Sequence, residues 1–396
     1  MVYNIHSYLN HLQNNIMYYK KISDIGDTII NQVINDMFKY FVRVNYSVSP
    51  NRIRFILIAK GNAKLDTLLS RQCNGLIFDI RQHNMGGLTT EIIYVPSPVL
   101  TYTYNKSYME KLVRSGKYKI YEIQDGTRYG LYYDSLASRW VWSSKHSDDI
   151  SGTVWRETDH QAIIDDVISQ YKIMLNELNT HLCYNICITH PTHHPFNEKI
   201  KASVISCYDL ENKTTTEIYD LPIGKQEPIE FTGELQDLIN INKQAYKVWE
   251  KEGIAHMGFI IRSNKGKKNI MFYSHLFKQI KQCIYYNDLT GETFKDMFTE
   301  MDFVILKNYI QKTNFHKLFP AYKEKYELLH SNIETLAADI ILMYNGEMVD
   351  NLLAQKIYEL VSKHFTYKDF SDYPVLMQLI CCTKNIEILY PTIFSY

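Results

Sequence analysis

The stretch Tyr121-Glu122-Ile123-Gln124-Asp125-Gly126-Thr127 lies between two runs of aromatic and β-branched residues, 118–122 and 128–134. Such runs predict strands, and the Asp-Gly pair between them predicts a tight turn. By itself that is an ordinary hairpin signal. Working outward, similar runs recur at 54–58, 75–79, 91–95 and 140–142, and again at 184–189, 203–208, 258–262 and 269–273. Residues from about 50 to 275 therefore predict a mostly antiparallel sheet domain.

Two helical inserts interrupt it. One spans 159–178, where Ile163, Val167, Ile168, Tyr171 and Leu175 recur at helical spacing, and the other lies near 235–252. Residues 1–40 predict a mostly helical lead-in. Beyond residue 290 the pattern changes to amphipathic stretches at 302–311, 322–344, 348–365 and 373–386, broken by Pro320, by Asn345-Gly346 and by Pro374. Leu328, Ile333, Leu336 and Ile340 sit three to five apart, as one buried helix face requires. The expected class is α+β, with a sheet-based domain over 1–285 and an all-helical C-terminal domain over 286–396.

The composition is that of a globular protein, 45% hydrophobic and 22% charged. Lys+Arg and Asp+Glu both total 43, so no overall positive field draws polynucleotides to the surface, and any such site must be local. The seven cysteines include no Cys-x-x-Cys pair; the odd count and the adjacent Cys381-Cys382 argue for a reducing compartment over a disulfide framework. No apolar run reaches spanning length, and the N-terminus lacks an uninterrupted apolar core with a small-residue cleavage site. A cytoplasmic, intracellular protein with no membrane partner is therefore expected. The 32 tyrosines read either as base-stacking residues or as the codon bias of an AT-rich genome, such as that of a virus or a parasite.

Nucleotidyl transfer by covalent catalysis needs an amine held at the end of a strand and followed by a turn that leaves room for the ribose. Between residues 40 and 280 the order of motifs resembles the phage-type RNA ligase family, which includes the T-even bacteriophage tRNA-repair type. Its Cys-Arg-Gly-x-x-Phe is matched by Cys73-Asn74-Gly75-Leu76-Ile77-Phe78, its Lys-x-Asp-Gly by Ile123-Gln124-Asp125-Gly126, and its Ser-Lys-Gly-Ser by Ser144-Lys145-His146-Ser147. Its Phe-Glu-Phe-Val-x-Pro-Thr resembles Ile186-Cys187-Ile188-Thr189-His190-Pro191-Thr192, and its Glu-Gly-x-Val resembles Met257-Gly258-Phe259-Ile260. Its Lys-x-Lys-Ser-x-x-aromatic resembles Met271-Phe272-Tyr273-Ser274-His275-Leu276-Phe277. The resemblance implies a nucleotidyltransferase (ATP-grasp-like ligase) domain on antiparallel sheets.

It also implies that the chemical positions have changed. The lysine nucleophile becomes Ile123, the pocket arginine Asn74, the two pocket glutamates Cys187 and Met257, and the two late lysines Met271 and Tyr273. Isoleucine has no lone pair, and the amide nitrogen of Gln124 is not nucleophilic. Lys119, four residues upstream on the same strand face, lies roughly 13 Å away at the usual strand rise, far beyond an attack distance of about 3.5 Å. No catalytic residue and no cofactor are therefore expected; a working ligase with a relocated nucleophile would use ATP and Mg2+.

Asp125, Gly126, Arg128 and Lys145, with the loop residues Lys265, Lys267 and Lys268, are candidates for holding a nucleotide or an RNA end, against the plainer reading of solvated surface charge. That loop holds one glycine, Gly266, and no phosphate-cradling Gly-x-Gly-x-x-Gly occurs in the chain. His190, His193 and His194, downstream of Cys183 and Cys187, match no standard zinc spacing, so no metal is expected. The expected protein is a catalytically inactive, RNA-ligase-like viral protein, cytoplasmic or virion-associated. It would bind RNA or a nucleotide, or scaffold protein partners in a viral or RNA-processing assembly. The alternatives are an active ATP-dependent ligase and a purely structural or regulatory subunit.

Overall fold

A computed structural model describes residues 4–60, 63–65, 67–83, 86–98, 101–102, 106–155, 158–194, 196, 199–252, 255–263, 269–274, 276–277, 313 and 320–361. The chain divides into two compact units. The first comprises Met1–His194, Lys199–Leu238 and Gly258–Phe272, and the second Pro195–Glu198, Ile239–Met257 and Tyr273–Tyr396.

The first unit opens with helices α1 (Ile5–Ile16) and α2 (Gly26–Phe38). In α1 the Asn4 side chain caps the first turn by accepting from the Ser7 N–H, and Ile5, Tyr8, Leu9, Leu12 and Ile16 form one buried stripe. The chain continues through β1 (Val42–Ser49), β2 (Arg52–Ala59), α3 (Leu68–Gln72), β3 (Asn74–Gln82) and β4 (Leu88–Tyr94). These four strands make one antiparallel sheet in the order β1-β2-β3-β4. β2 and β3 are buried on both faces because both are covered. Phe55, Leu57, Leu76 and Phe78 pack under α1 and α2, while Ile56, Ile58 and Ile77 pack into a second sheet.

After β5 (Thr101–Tyr102), α4 (Lys106–Arg114) and β6 (Tyr118–Glu122) come β7 (Thr127–Asp134), β8 (Arg139–Ser143), β9 (Val154–Trp155), β10 (Thr158–Asp159) and α5 (His160–Tyr171). β11 (Leu182–Thr189), β12 (Lys201–Asp209) and β13 (Thr214–Thr216) then join β7 and β8 in the second sheet, ordered β13-β12-β11-β7-β8. Its outer face, with Leu131, Tyr184 and Ile186, is covered by Ile163, Ile164 and Val167 of α5. This part is thus layered helix, sheet, sheet, helix. A third sheet, β5-β15-β14-β6, is completed by β14 (Gly258–Ser263) and β15 (Asn269–Tyr273), with β15 parallel to β5.

The Asp125-Gly126 turn does not close a hairpin. β6 pairs with β14 and β7 with β8 and β11, so the turn carries the chain from one sheet to another. Elsewhere the expected strands fall inside observed ones, except that the run 91–95 passes the end of β4 by one residue, and helix 235–252 is α6 (Leu235–Glu252). The insert expected at 159–178 splits, because Lys172 takes a left-handed φ of 52° that ends α5, and a separate turn follows at Leu175–Glu177. β1, α4 and the short elements α3, β5, β9, β10 and β13 were not among the expected elements.

Within the second unit, α7 (Pro320–Tyr344) and α8 (Leu352–Val361) contribute buried Leu336, Ala337, Ile340 and Ala354. Leu328, expected on the buried face, is 53% exposed. A helix rises about 1.5 Å per residue, so the shorter α8 covers only part of α7. The helix expected from 348 begins at Leu352, where Asn351 accepts from the Ala354 N–H, and Met348 is fully exposed. The stretches 302–311 and 373–386 lie outside the described residues. Among the described residues no helix is long and apolar enough to cross a membrane.

Candidate functional site

Ile123 follows the last residue of β6 and extends its ladder, donating its N–H to the Gly258 carbonyl at 2.8 Å. Its side chain is buried, 7% exposed. Strand alternation puts Lys119, Tyr121 and Ile123 on one face of β6. The next three residues are fixed by the second sheet. Ser203 Oγ donates to Gln124 Oε1 at 2.6 Å, and Thr189 Oγ1 donates to the Asp125 carbonyl at 2.6 Å. A Cβ on Gly126 would fall 2.5 Å from Cys187 Sγ and 3.0 Å from the Ile188 carbonyl, so only glycine lets the turn approach β11 this closely.

Cys187 lies directly opposite Arg128 in the β7–β11 register. Burial pushes its thiol up to about 11, with Arg128 pulling down and Asp125 pushing up, so it is a neutral group. Asn74 opens β3 and donates from Nδ2 to the Ser97 carbonyl at 3.3 Å. Beside it, Gly75 has a φ of 93°, and a Cβ there would come within 2.9 Å of Lys145 Cα; the 144–145 loop therefore packs on the entry to β3. Burial lowers the Lys145 ammonium below the usual lysine range. Met271 is half-buried on β15, two strands from β6 in the third sheet.

In the second unit Met257 is buried and accepts from the Ser274 N–H at 3.0 Å, and the Tyr273 and Phe277 ring centroids are 5.0 Å apart. Lys265, Lys267 and Lys268 lie outside the described residues. Of the sequence candidates, the fold brings Ile123, Asp125, Gly126, Arg128 and Cys187 together at the crossing between sheets, and joins Asn74 to Lys145 through Gly75.

Arg262 and Gln226 escaped the sequence reading, and so did the partners, His160 among them, that gather around the histidines it had weighed for a metal. Arg262 sits directly opposite Lys119 on β14, with its guanidinium 4.3 Å from the Tyr121 ring centroid and Nη2 donating to Gln226 Oε1 at 3.5 Å. Its signal was a lone cation ending an apolar strand; Gln226, in a loop, left none. The histidines form a set where β11 ends. The His160 and His193 rings stack at 5.5 Å, Tyr129 OH bonds His160 Nδ1 at 2.7 Å, and Thr127 Oγ1 lies 3.3 Å from His194 Nε2. His190 pairs with Asp166 at 3.2 Å. Burial depresses His194 to about 4, so it is neutral. Among the described residues no group of three or more His, Cys, Asp or Glu side chains is placed to hold a metal ion.

No family model matches the chain, and no curated protein matches it. Among solved structures it is similar to an archaeal ATP-dependent RNA ligase, with 7% identity and a TM-score of 0.39 over 78% of this chain and 79% of that one. It is also similar to a putative ATP-dependent DNA ligase from Aquifex aeolicus, with 12% identity and a TM-score of 0.35 over 85% and 89%. A third is the Naegleria gruberi RNA ligase with PPi, at 9% identity and a TM-score of 0.32 over 60% of this chain and 97% of that one. At such identities and TM-scores, function is left to the residues themselves.

Proposed function

We propose that this chain is a degenerate, phage-type RNA-ligase-like protein, viral in origin, that holds RNA or a nucleotide without forming a covalent adduct. The observation that carries the reading is Ile123: an apolar, buried side chain follows β6 just before the Asp125-Gly126 crossing, where the resemblance expects the lysine. The other positions support it. A neutral Cys187 thiol and the thioether of Met271 offer neither the charge nor the oxygen ligands that Mg2+ and ATP would need there. Arg128, Lys145 and Arg262 remain as cations able to hold phosphate. In this reading 1–285 is the ligase-like domain and 286–396 a helical one, with protein partners in an RNA-processing assembly.

The test is incubation with α-labelled ATP and Mg2+ followed by denaturing electrophoresis, beside RNA-binding titrations over a range of salt. No labelled band is expected, together with RNA binding that weakens as salt rises. A covalent band overturns the pseudoenzyme reading, and salt-independent or absent binding overturns the RNA part. One observation favours a second reading, an active ligase with a relocated nucleophile: Lys145 is exposed, and partial desolvation holds its ammonium below the usual lysine range. That reading requires the band to map to Lys145.

A further inference from the structure

We infer that the β6–β14 strand pair carries an anion site, built by Arg262 and Lys119 on the Ile123 face of β6, that takes the phosphate of a nucleotide or of an RNA end; this rests on the binding reading above. Arg262 and Lys119 are direct cross-strand partners. Like charges directly opposite on one face of an antiparallel pair repel and destabilise it. Among the described residues Arg262 has no carboxylate partner; its neighbours are the Tyr121 ring at 4.3 Å and Gln226 Oε1 at 3.5 Å. Gln226 is itself held by donating from Nε2 to the Glu122 carbonyl at 2.8 Å, so the guanidinium is both stacked and oriented.

The surrounding charges add to the imbalance. Burial and then Arg128 lower Arg262, against the pull of Tyr121. Lys225, next to Gln226, is lowered by burial and by both Lys119 and Arg262. The acids in reach act on Lys225: Glu227 attracts it and Glu217 pairs with it. Glu122 alternates to the other face of β6. Among the described residues Arg262 and Lys119 are thus left without a carboxylate partner, with Arg128 near enough to act on Arg262, beside an oriented fork that a phosphate oxygen pair would complete.

The experiment uses the full chain. Thermal melting is followed with inorganic phosphate, pyrophosphate or ATP, and affinity is measured for one oligoribonucleotide bearing a 5′-phosphate or a 5′-hydroxyl. Arg262→Gln, Lys119→Gln, the double variant and Arg262→Lys are compared. Pyrophosphate is expected to raise the melting temperature of the wild type and not of the double variant, with Arg262→Lys retaining part of the shift. Without any anion, Lys119→Gln should melt no lower than wild type, since it relieves repulsion; a merely structural lysine would lower it. Arg262→Gln should weaken the preferred ligand about tenfold. A preference for ATP identifies a free nucleotide as the source, and a preference for 5′-phosphorylated RNA identifies a strand end.

A wild type indifferent to pyrophosphate overturns the inference. So does a double variant that responds like wild type, even if RNA binding itself stands. A response that depends on these residues, in a chain that retains neither ATP nor RNA, supports the anion site and sinks the binding reading.

Discussion

Gly126 is the residue on which the crossing between sheets depends. Adding one methyl places it 2.5 Å from Cys187 Sγ and 3.0 Å from a main-chain oxygen that cannot rotate away. Gly126→Ala should therefore destabilise the protein by about 1–3 kcal/mol, as overpacking does, measured by chemical denaturation. Cys187→Ala in the same chain should recover part of the loss and not all of it, because the Ile188 carbonyl remains. At this scale the sequence was readable where motifs are local: Ile123 is read in the run 121–127 and is found as a buried side chain at the end of a strand. Arg262 was not readable, because its meaning comes from Lys119 and Gln226, which only strand pairing and a loop bring to it.

Among the elements, β2, β3 and β7 are tied by a buried ion network. Arg54, 3% exposed, donates from Nε and Nη2 to the two carboxylate oxygens of Asp79 at 2.8 and 2.9 Å, and reaches Asp134 at 3.0 Å. Burial opposes the guanidinium charge, yet these carboxylates and Tyr132 hold its pKa above the usual arginine range. Arg54→Met should cost about 3 kcal/mol by removing the bidentate partner of Asp79, which keeps only Arg81 at 3.3 Å and Arg52 at 3.8 Å while Asp134 keeps Arg52 at 2.7 Å, and Asp79→Asn added to it should restore part of that stability in the same melt. The longer strands and helices were legible from periodicity apart from β1 and α4, while the short α3, β5, β9, β10 and β13 were not expected. β1 reads Val42-Arg43-Val44-Asn45-Tyr46-Ser47-Val48-Ser49, a clean alternation that was sufficient to find it, and α4 carried a weaker signal in Met109, Leu112 and Val113. The Asp-Gly turn misleads for a different reason: turn chemistry fixes a local bend, while the partner of each flanking strand is set by distant β11 and β14.

For the whole molecule, the histidines set an acid limit. A buried histidine held at about 4 against an ordinary 6.5 contributes stability that is fully present above 6.5 and is lost as pH falls toward 4, because the unfolded chain then binds the extra proton. For His194 this amounts to about 3 kcal/mol. His6, His146 and His160 are shifted in the same direction, burial first in each. Asp134 and Asp149 are lowered from 3.8 and lose their contribution only at still lower pH. The melting temperature should therefore fall between pH 6.5 and about 4, and His194→Gln should flatten that fall; an unchanged profile would remove the buried histidine as its cause.

The chain order of the third sheet has a consequence for how the protein is made. Among the described residues, apart from an isolated bridge between Ile120 and Ile229, β6 finds its sheet partner only in β14, which leaves the ribosome after the whole second sheet and α6. Until then the strand that carries Ile123 is an open edge able to pair with another nascent chain. The layered part can assemble while synthesis continues, but the third sheet forms only after β14 and β15 have emerged.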